Sequence, residues 1–555
     1  MRDLHLICNA HLDPVWLWRW EEGAAEAIST FRIAADFCEK YDGFIFNHNE
    51  VILYQWIEEY EPELFQRIQR LVKEGKWHIM GGWYLQPDCN MPSGESFVRQ
   101  ILLGRKYFEE KFEVKPSTAI NFDPFGHTRG LVQIMEKSGY DSYIITRPGE
   151  YFCSLPADDI KWVGYDGSEI MVHRAFGGYN SLKGKAADKV EKWIEQHPDK
   201  KIGLLLWGIG NHGGGPSRRD LKELQKLISE KDEFNIKHSI PEAYFKELKN
   251  HKEKLPLHEE DLNPWAVGCY TSQIQIKQKH RRLENEIFMT EKMLSSAAIQ
   301  GYIDYPKQKI NEALSDLMLA QFHDILPGSS IQHVEEDSLK LMDHGLEIVS
   351  RIKTKAFFAL ASGQPQANEG EIPIMVYNPH PHKVKAIIEC EFQLEDQNWE
   401  DEFIFPVVYS DGNKLPCQVE KEESNLNLDW RKKVVFKADL EPNQINRFDC
   451  KNKVVSEKPV PQLQKKDGKI TFKNDELHVV INCDTGLIDK YSVNGDDYFK
   501  KDAFLPLVID DNDDSWGMRV LEFQEVIGKF QLMSKEEGTK FSGIEGKMLD
   551  SVRII

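Results

Sequence analysis

Apolar residues in the first half of the chain come in short runs. Each is followed by a polar or glycine-rich stretch and then by a longer segment with helical spacing. Leu4-His5-Leu6-Ile7-Cys8, Phe44-Ile45-Phe46, Trp77-His78-Ile79-Met80, Ser117-Thr118-Ala119-Ile120, Ser142-Tyr143-Ile144-Ile145, Ile170-Met171-Val172 and the run 202–207 read as buried strands. Helical periodicity covers Glu21–Tyr41 and Ile52–Lys73. The alternation predicts a largely parallel, barrel-like α/β domain over residues 1–258.

From 259 to 361 the period changes. Arg281–Gln300, Glu312–Phe322 and Ser338–Leu360 carry apolar residues at helical spacing and predict a three-helix bundle. The stretch 362–370 has linker composition. Beyond it, Pro373–Tyr377, Val384–Phe392 and Lys433–Phe436 predict a β-sandwich domain over 371–465. Lys469–Phe472 and Leu477–Asn482 open a larger C-terminal β domain over 466–555, which reads as cut short at the apolar run Val552-Arg553-Ile554-Ile555. The acidic stretch 510–514 lacks the spacing of a calcium loop and reads as a solvated turn.

The predicted strands deliver polar, charged or glycine residues at their C-terminal ends. In a parallel sheet those ends share one edge, where ligands bind. His11 and Asp13 leave the first strand two residues apart, able to point at one ion. Asp123 leaves a later strand, stiffened by Pro124, with His127 close behind as its support. Arg147 ends the neighbouring strand, and a guanidinium beside a carboxylate keeps it ionised, as a nucleophile or a metal ligand must be. His323 stands at the end of a bundle helix before Pro327-Gly328. Two imidazoles with Asp13 and Asp123 form a mixed N/O set suited to zinc. Trp16 offers a flat face for a sugar ring, and Asp88 and Asp324 offer carboxylates for hydroxyl groups or for turn chemistry. The loop Gly208–Gly215 lacks the order of a phosphate loop and presents His212 to the same edge.

Composition narrows the class. The 555 residues are 41% hydrophobic and carry a formal charge of −20, which argues against nucleic acid as a partner. No run of about 18 apolar residues occurs, so no membrane span is expected. Nine singly scattered cysteines and an N-terminus without a signal-peptide pattern fit a reduced cytoplasmic chain. A homo-oligomer is compatible with everything above.

Taken together, His11-x-Asp13-x-x-Trp16, Asp123-Pro124-Phe125-Gly126-His127, Arg147 and His323-Asp324 resemble glycoside hydrolase family 38, the zinc-dependent α-mannosidases. Pro92-Ser93-Gly94-Glu95-Ser96 and Gly213-Gly214-Gly215-Pro216 look more like its bacterial and cytosolic branch. The resemblance implies one zinc per chain on His11, Asp13, Asp123 and His323. It implies Asp123 as nucleophile of a retaining mechanism, and Trp16, Arg147, Asp88 and Asp324 around a mannose from a mannose-containing oligosaccharide. The chain departs from the pattern in its shorter C-terminal β-region. It also reads Asn211-His212 where Golgi and lysosomal members carry the acid/base aspartate.

An imidazole, with an ordinary pKa near 6.5, can protonate a leaving group with little tuning. His212 is therefore the expected acid/base, with Asp88 and Asp220 as fallback carboxylates. Two other readings compete. One is a zinc-dependent sugar amide hydrolase of deacetylase type. The other is a non-catalytic, metal-stabilised carbohydrate-binding protein.

Overall fold

The computed structural model describes residues 2–533 apart from 211, 232, 251–254, 399–401, 421, 424–428, 458–462, 464, 501, 512 and 520–522. The expected strand at 552–555 lies outside the described residues. The chain divides into two compact units. One comprises residues 1–288, 307–350 and 514–521; the other comprises 289–306, 351–513 and 522–555.

The first unit holds two sheets. In one, β1 (Arg2–Cys8) is flanked on one edge by β8 (Ile202–Trp207). Its other edge is shared by β9 (Phe234–His238) and, at Cys8, by β2 (Phe46–His48), beyond which lies β3 (Trp77–Ile79). All these pairings are parallel. The second sheet runs β10 (Leu257–His258), β6 (Asp159–Val163), β7 (Glu169–Arg174), β5 (Ser142–Ile145) and β4 (Thr118–Asn121).

Among the described residues no ladder joins the two sheets, so the expected barrel-like closure is not made. Periodicity reports which face of a strand is buried, not which neighbour it pairs with. One core is shared by the two sheets: Ile7, Leu204 and Leu206 from the first pack with Ile120 and Ile144 from the second. A separate cluster of Ala119, Tyr143, Ile145, Ile160, Trp162 and Val172 belongs to the second sheet. β6 is antiparallel to β7, and its alternation of half-buried Asp159, Lys161 and Val163 with buried Ile160 and Trp162 places it on one covered face.

Helices cover the strands: α1 (Trp20–Lys40), α2 (Val51–Tyr60), α3 (Pro62–Lys73), α4 (Gly94–Phe112), α5 (Leu131–Lys137), α6 (Ala186–Gln196), α7 (Arg218–Glu230) and α8 (Pro241–Lys249). The single helix expected over Ile52–Lys73 is two. Pro62 pushes Glu61 out of the helical region, to φ −136° and ψ 62°, and then starts α3. The bundle segment supplies α9 (Ile274–Ile299), α10 (Lys307–Ala320) and α11 (Gln332–Ser362). His323 lies in the turn after α10, rather than in its last turn.

In the second unit, two antiparallel sheets share a core of Ile374, Val408, Val434, Phe436, Leu440 and Phe448. One is built on β11 (Glu371–Asn378), β17 (Gln444–Val455), β13 (Phe403–Ser410) and β14 (Asn413–Lys414). The other comprises β12 (Val384–Asn398), β16 (Asp429–Leu440) and β15 (Cys417–Glu420). A five-stranded sheet follows within Lys465–Asp497, and then the hairpin of β23 (Leu507–Ile509) and β24 (Val526–Lys529). In the acidic stretch, Asn512 lies outside the described residues. Asp514 accepts from the backbone N–H groups of Met518 and Arg519, which is turn chemistry. No described helix is long and apolar enough to cross a membrane.

Candidate metal centre

Register builds the site. β4 and β5 are parallel with Asn121 opposite Ile145, so the residues two positions beyond each, Asp123 and Arg147, emerge side by side. Arg147 Nη2 lies 2.8 Å from Asp123 Oδ1, and Nη1 donates to the Asp123 carbonyl at 3.0 Å. Phe125 and Trp265 each lie under the guanidinium at 5.6 Å. His127 does not reach Asp123. Its Nε2 pairs with the Arg147 carbonyl at 3.0 Å and its Nδ1 with the Tyr143 hydroxyl at 2.8 Å, so it braces the loop that carries the arginine.

β1 and β8 pair with Cys8 opposite Trp207, so the loops that follow them run together. A Cβ on Gly208 would sit 2.0 Å from the Asn9 carbonyl oxygen, and one on Gly210 would sit 3.3 Å from His11 Cβ. Glycine is what permits this approach.

His11, Asp13, Asp123 and His323 converge, all buried. His11 Nε2 lies 2.8 Å from Asp13 Oδ1 and 3.9 Å from Asp123 Oδ2. His323 Nε2 lies 3.5 Å from Asp13 Oδ1 and 3.6 Å from Asp123 Oδ2. His11, Asp13 and His323 form one potential metal-holding group, and Asp123, His323 and Asp324 another, each with ligand atoms within 4.8 Å of one another. His11 Nε2, Asp13 Oδ1 and His323 Nε2 are buried without a well-formed hydrogen-bond partner. Three orphaned polar atoms aimed at one space, with a fourth carboxylate beside them, fit a small divalent cation with N/O preference. His323 Nδ1 donates to the Gln86 carbonyl at 2.8 Å, which leaves the Nε2 lone pair facing the cluster.

The same proximity sets the protonation tendencies. Burial alone would make both imidazoles less basic, but Asp13 and Asp123 outweigh it and raise the pKa of His11 and of His323. Burial would raise the two aspartates. The imidazoles overcome it for Asp13, and Arg147 leads the groups that overcome it for Asp123, so both carboxyls are held below their ordinary value. Asp324 goes the other way: burial, with Asp13 and Asp123 nearby, pushes it up to about 7 against the pull of His323.

Other expected site residues fall into two groups. Trp16 is half-buried, edge-on to Trp18 with centroids 5.7 Å apart, and its backbone carbonyl accepts from Ile331 at 3.0 Å. Asp324 Oδ2 lies 3.7 Å from His323 Nε2, and its Oδ1 accepts from the Ser329 hydroxyl at 2.5 Å. Asp88 Oδ1 accepts from the backbone of Asn90 and Met91 at 3.0 and 2.7 Å, while its buried Oδ2 lacks a well-formed hydrogen bond and the carboxylate interacts with the Tyr270 hydroxyl. Turn chemistry accounts for the first oxygen and not the second.

His212 sits apart. Its loop is closed at the base by reciprocal bonds between Ile209 and Gly215 and tied down by Gly214 N–H donating to Thr30 Oγ1 at 3.1 Å. The imidazole stacks on Trp18 at 4.0 Å, and its Nε2 lies 2.6 Å from Glu22 Oε1. It makes no hydrogen bond or ion pair to the cluster among the described residues. Trp18 Nε1 donates to the Asp13 carbonyl at 3.0 Å, so one indole links this histidine to the ligand loop. Asn211 lies outside the described residues. The fallback Asp220 is 1% exposed and bonded to the Ser217 hydroxyl and the Ala186 N–H at the start of α7 and α6, a structural position.

Two site residues escaped the sequence reading. Tyr179 packs its ring on His11 at 4.5 Å, and its hydroxyl pKa is raised by burial and by Asp123 and Asp13. It follows Gly177-Gly178, both at positive φ beyond the end of β7, and that glycine pair was the available signal. Gln86 touches His11 and His323, and no sequence motif marks it.

Residues 1–267 match the glycosyl hydrolases family 38 N-terminal domain, and residues 265–360 match the alpha mannosidase middle domain. This chain belongs to glycosyl hydrolase family 38. Among similar proteins, Alpha-mannosidase G of Dictyostelium discoideum is 32% identical over 363 residues, covering 63% of this chain and 32% of that protein. Alpha-mannosidase 2C1 of Homo sapiens is 29% identical over 391 residues, covering 68% of this chain and 37% of that protein. The chain thus spans about a third of the length of these curated relatives. A solved alpha-mannosidase from Enterococcus faecalis V583 shares the fold, with a TM-score of 0.71 at 16% identity over 92% of this chain and 66% of that one.

Proposed function

We propose that this protein is a zinc-dependent retaining α-mannosidase that removes terminal α-linked mannose from glycans. One observation carries the reading. Asp123 offers one oxygen to the His11–Asp13–His323 cluster and the other to Arg147, on a chain that belongs to family 38.

His11, Asp13, Asp123 and His323 would hold the ion. When bound, it would orient a pair of adjacent sugar hydroxyls and offset negative charge near the glycosyl centre. The chain's own groups supply the rest. Trp16 presents a ring face to the sugar. Asp123 attacks the anomeric carbon and forms a glycosyl-aspartate, with Arg147 keeping its carboxylate ionised and aimed. A second group protonates the leaving oxygen and later takes a proton from water; a retaining pair stands about 5 Å apart. His212 is the candidate for that role. Its stacking on Trp18, itself tethered to the Asp13 carbonyl, supports a fixed position at this edge. Asp88 and Asp324 are candidates for substrate hydroxyls.

Residues 1–258 would be the catalytic domain, 259–361 the bundle, 371–465 a β-sandwich domain and 466–555 the start of a further β domain. A cytoplasmic site of action accords with the scattered cysteines. A second reading, carbohydrate binding without turnover, draws on the pairing of His212 with Glu22 in place of any contact to the cluster.

Turnover of an aryl α-mannoside, with NMR of the first-formed anomer and elemental analysis, tests the proposal. It expects α-mannose as first product and about one zinc per chain. Saturable mannoside binding with no turnover in zinc-loaded protein would establish the second reading instead.

A further inference from the structure

Gln86 lies in the loop after β3 and is 1% exposed. Its polar atoms reach all three segments that bring side chains to the cluster. Its backbone carbonyl accepts from His323 twice, from Nδ1 at 2.8 Å and from the backbone N–H at 3.3 Å. Its side-chain oxygen accepts from the N–H of Phe122, the residue before Asp123, at 2.5 Å. Its side-chain nitrogen lies 3.2 Å from Nδ1 of His11 and donates to Glu50 Oε1 at 2.8 Å. The amide is not free to turn over, because the Phe122 N–H requires the oxygen on its side and Glu50 requires the nitrogen on its own.

Glu50 is itself placed with effort. It is 2% exposed, its second carboxylate oxygen has no partner, and its backbone stands at φ 74°, a left-handed position that a non-glycine residue adopts only under constraint. The Gln86 loop is clamped in turn. Asp88 N–H donates to the Gln321 carbonyl at 2.8 Å, and Leu85 N–H donates to the side chain of Gln100, which reaches on to Met318 and Gln321. A buried acid and amide pair, held in a strained backbone, ends on three ligand segments, and the amide oxygen also satisfies the buried Phe122 N–H.

We infer that Gln86 is the positioning residue of the His11–Asp13–Asp123–His323 cluster and that Glu50 fixes the orientation of its amide. The inference rests on the metal-binding reading of that cluster. Gln86 sets where the Asp123 loop and the His323 ring stand before any ion arrives. Outer-shell partners of this kind typically control metal affinity by about 10–100-fold.

The test is zinc affinity of the purified full chain, read by competition with a chromophoric chelator well below the melting transition, beside the melting temperature of the metal-free protein. Gln86→Leu should weaken zinc binding by about 10–100-fold. Glu50→Leu alone should weaken it by about tenfold, since the amide then loses its acceptor. Gln86→Glu combined with Glu50→Gln exchanges donor and acceptor between the two positions and keeps an acceptor for Phe122. The exchanged carboxylate also accepts from His11 Nδ1–H, an arrangement common among metal-bound histidines. The pair should recover zinc affinity to within a few-fold of wild type. A role confined to packing would lower the melting temperature of Gln86→Leu and leave affinity unchanged, and that result overturns the inference. If Gln86→Leu does not fold, Glu50→Leu and the exchanged pair make the same comparison, and equal affinity across them overturns it too. Wild-type protein that binds no zinc would instead overturn the metal reading itself.

Discussion

Arg147 grips Asp123 at two points, the carboxylate Oδ1 at 2.8 Å and the backbone carbonyl at 3.0 Å. The first contact holds the charge and one lone pair; the second holds the loop. A lysine could make one of these contacts but not both in that geometry. Arg147→Met should therefore lower kcat on an aryl α-mannoside by about 10²-fold with zinc content unchanged. Steady-state kinetics with metal analysis on the same sample checks it, and a loss under threefold would remove Arg147 from the site.

Asp123→Asn should abolish turnover even of a mannoside with a good leaving group, because the bond-forming group itself is gone. Zinc content has to be read on the variant, since Asp123 Oδ2 also faces both imidazoles. Activity at about a tenth of wild type in zinc-loaded protein would place the nucleophile elsewhere.

His212→Ala separates acid catalysis from positioning by leaving group. If His212 donates the proton, a poor leaving group should lose about 10²–10⁴-fold and an activated one far less. Equal losses on both would make the imidazole, stacked on Trp18, a positioning element. No loss on either would exclude it.

Away from the site, Asp159 gives a pH-dependent test of stability. Burial would raise its pKa, but His173 at 2.7 Å, then Lys200 and Tyr244, overcome that and hold it below the ordinary carboxylate range. A depressed folded pKa means the unfolded chain binds the proton more readily. The stabilisation is thus fully present above about pH 4 and drains as pH falls further. Asp159→Asn should cost about 3 kcal/mol at pH 7 in urea unfolding, with the deficit shrinking at about pH 2–3. A deficit that stays constant across that range would show that shape, not charge, is lost.

The sequence carried much of this arrangement and missed the rest for physical reasons. His11, Asp13, Asp123 and Arg147 each follow an apolar run, and a parallel sheet delivers such positions to one edge. Pro62 breaks a helix that the apolar spacing alone extends through, and the restriction on the residue before proline was there to be read. Whether the strands close into a barrel depends on pairing between distant segments, which no local period encodes. Gln86 and Glu50 were invisible because an amide and a carboxylate in polar loops look like surface until the fold buries them. Asp220 shows the reverse error. A carboxylate near a glycine loop looked available for chemistry, but Ser217 and the Ala186 N–H occupy it.

One feature of the cluster bears on how the molecule is made. Three of its four side chains belong to the segment matched by the N-terminal domain, while His323 arrives from the turn after α10. His11 and His323 are roughly 300 residues apart along the chain, so the contact between them closes a very long loop, whose entropic cost grows only slowly with its length. During synthesis at about 5–20 residues per second, the first three side chains leave the ribosome tens of seconds or less before the fourth. Until then the nascent chain holds a half-assembled, anionic-leaning pocket with one imidazole. Acquisition of an ion by the complete set would thereby be timed to the emergence of the bundle, and a fragment ending with the α/β segment would lack the second imidazole nitrogen.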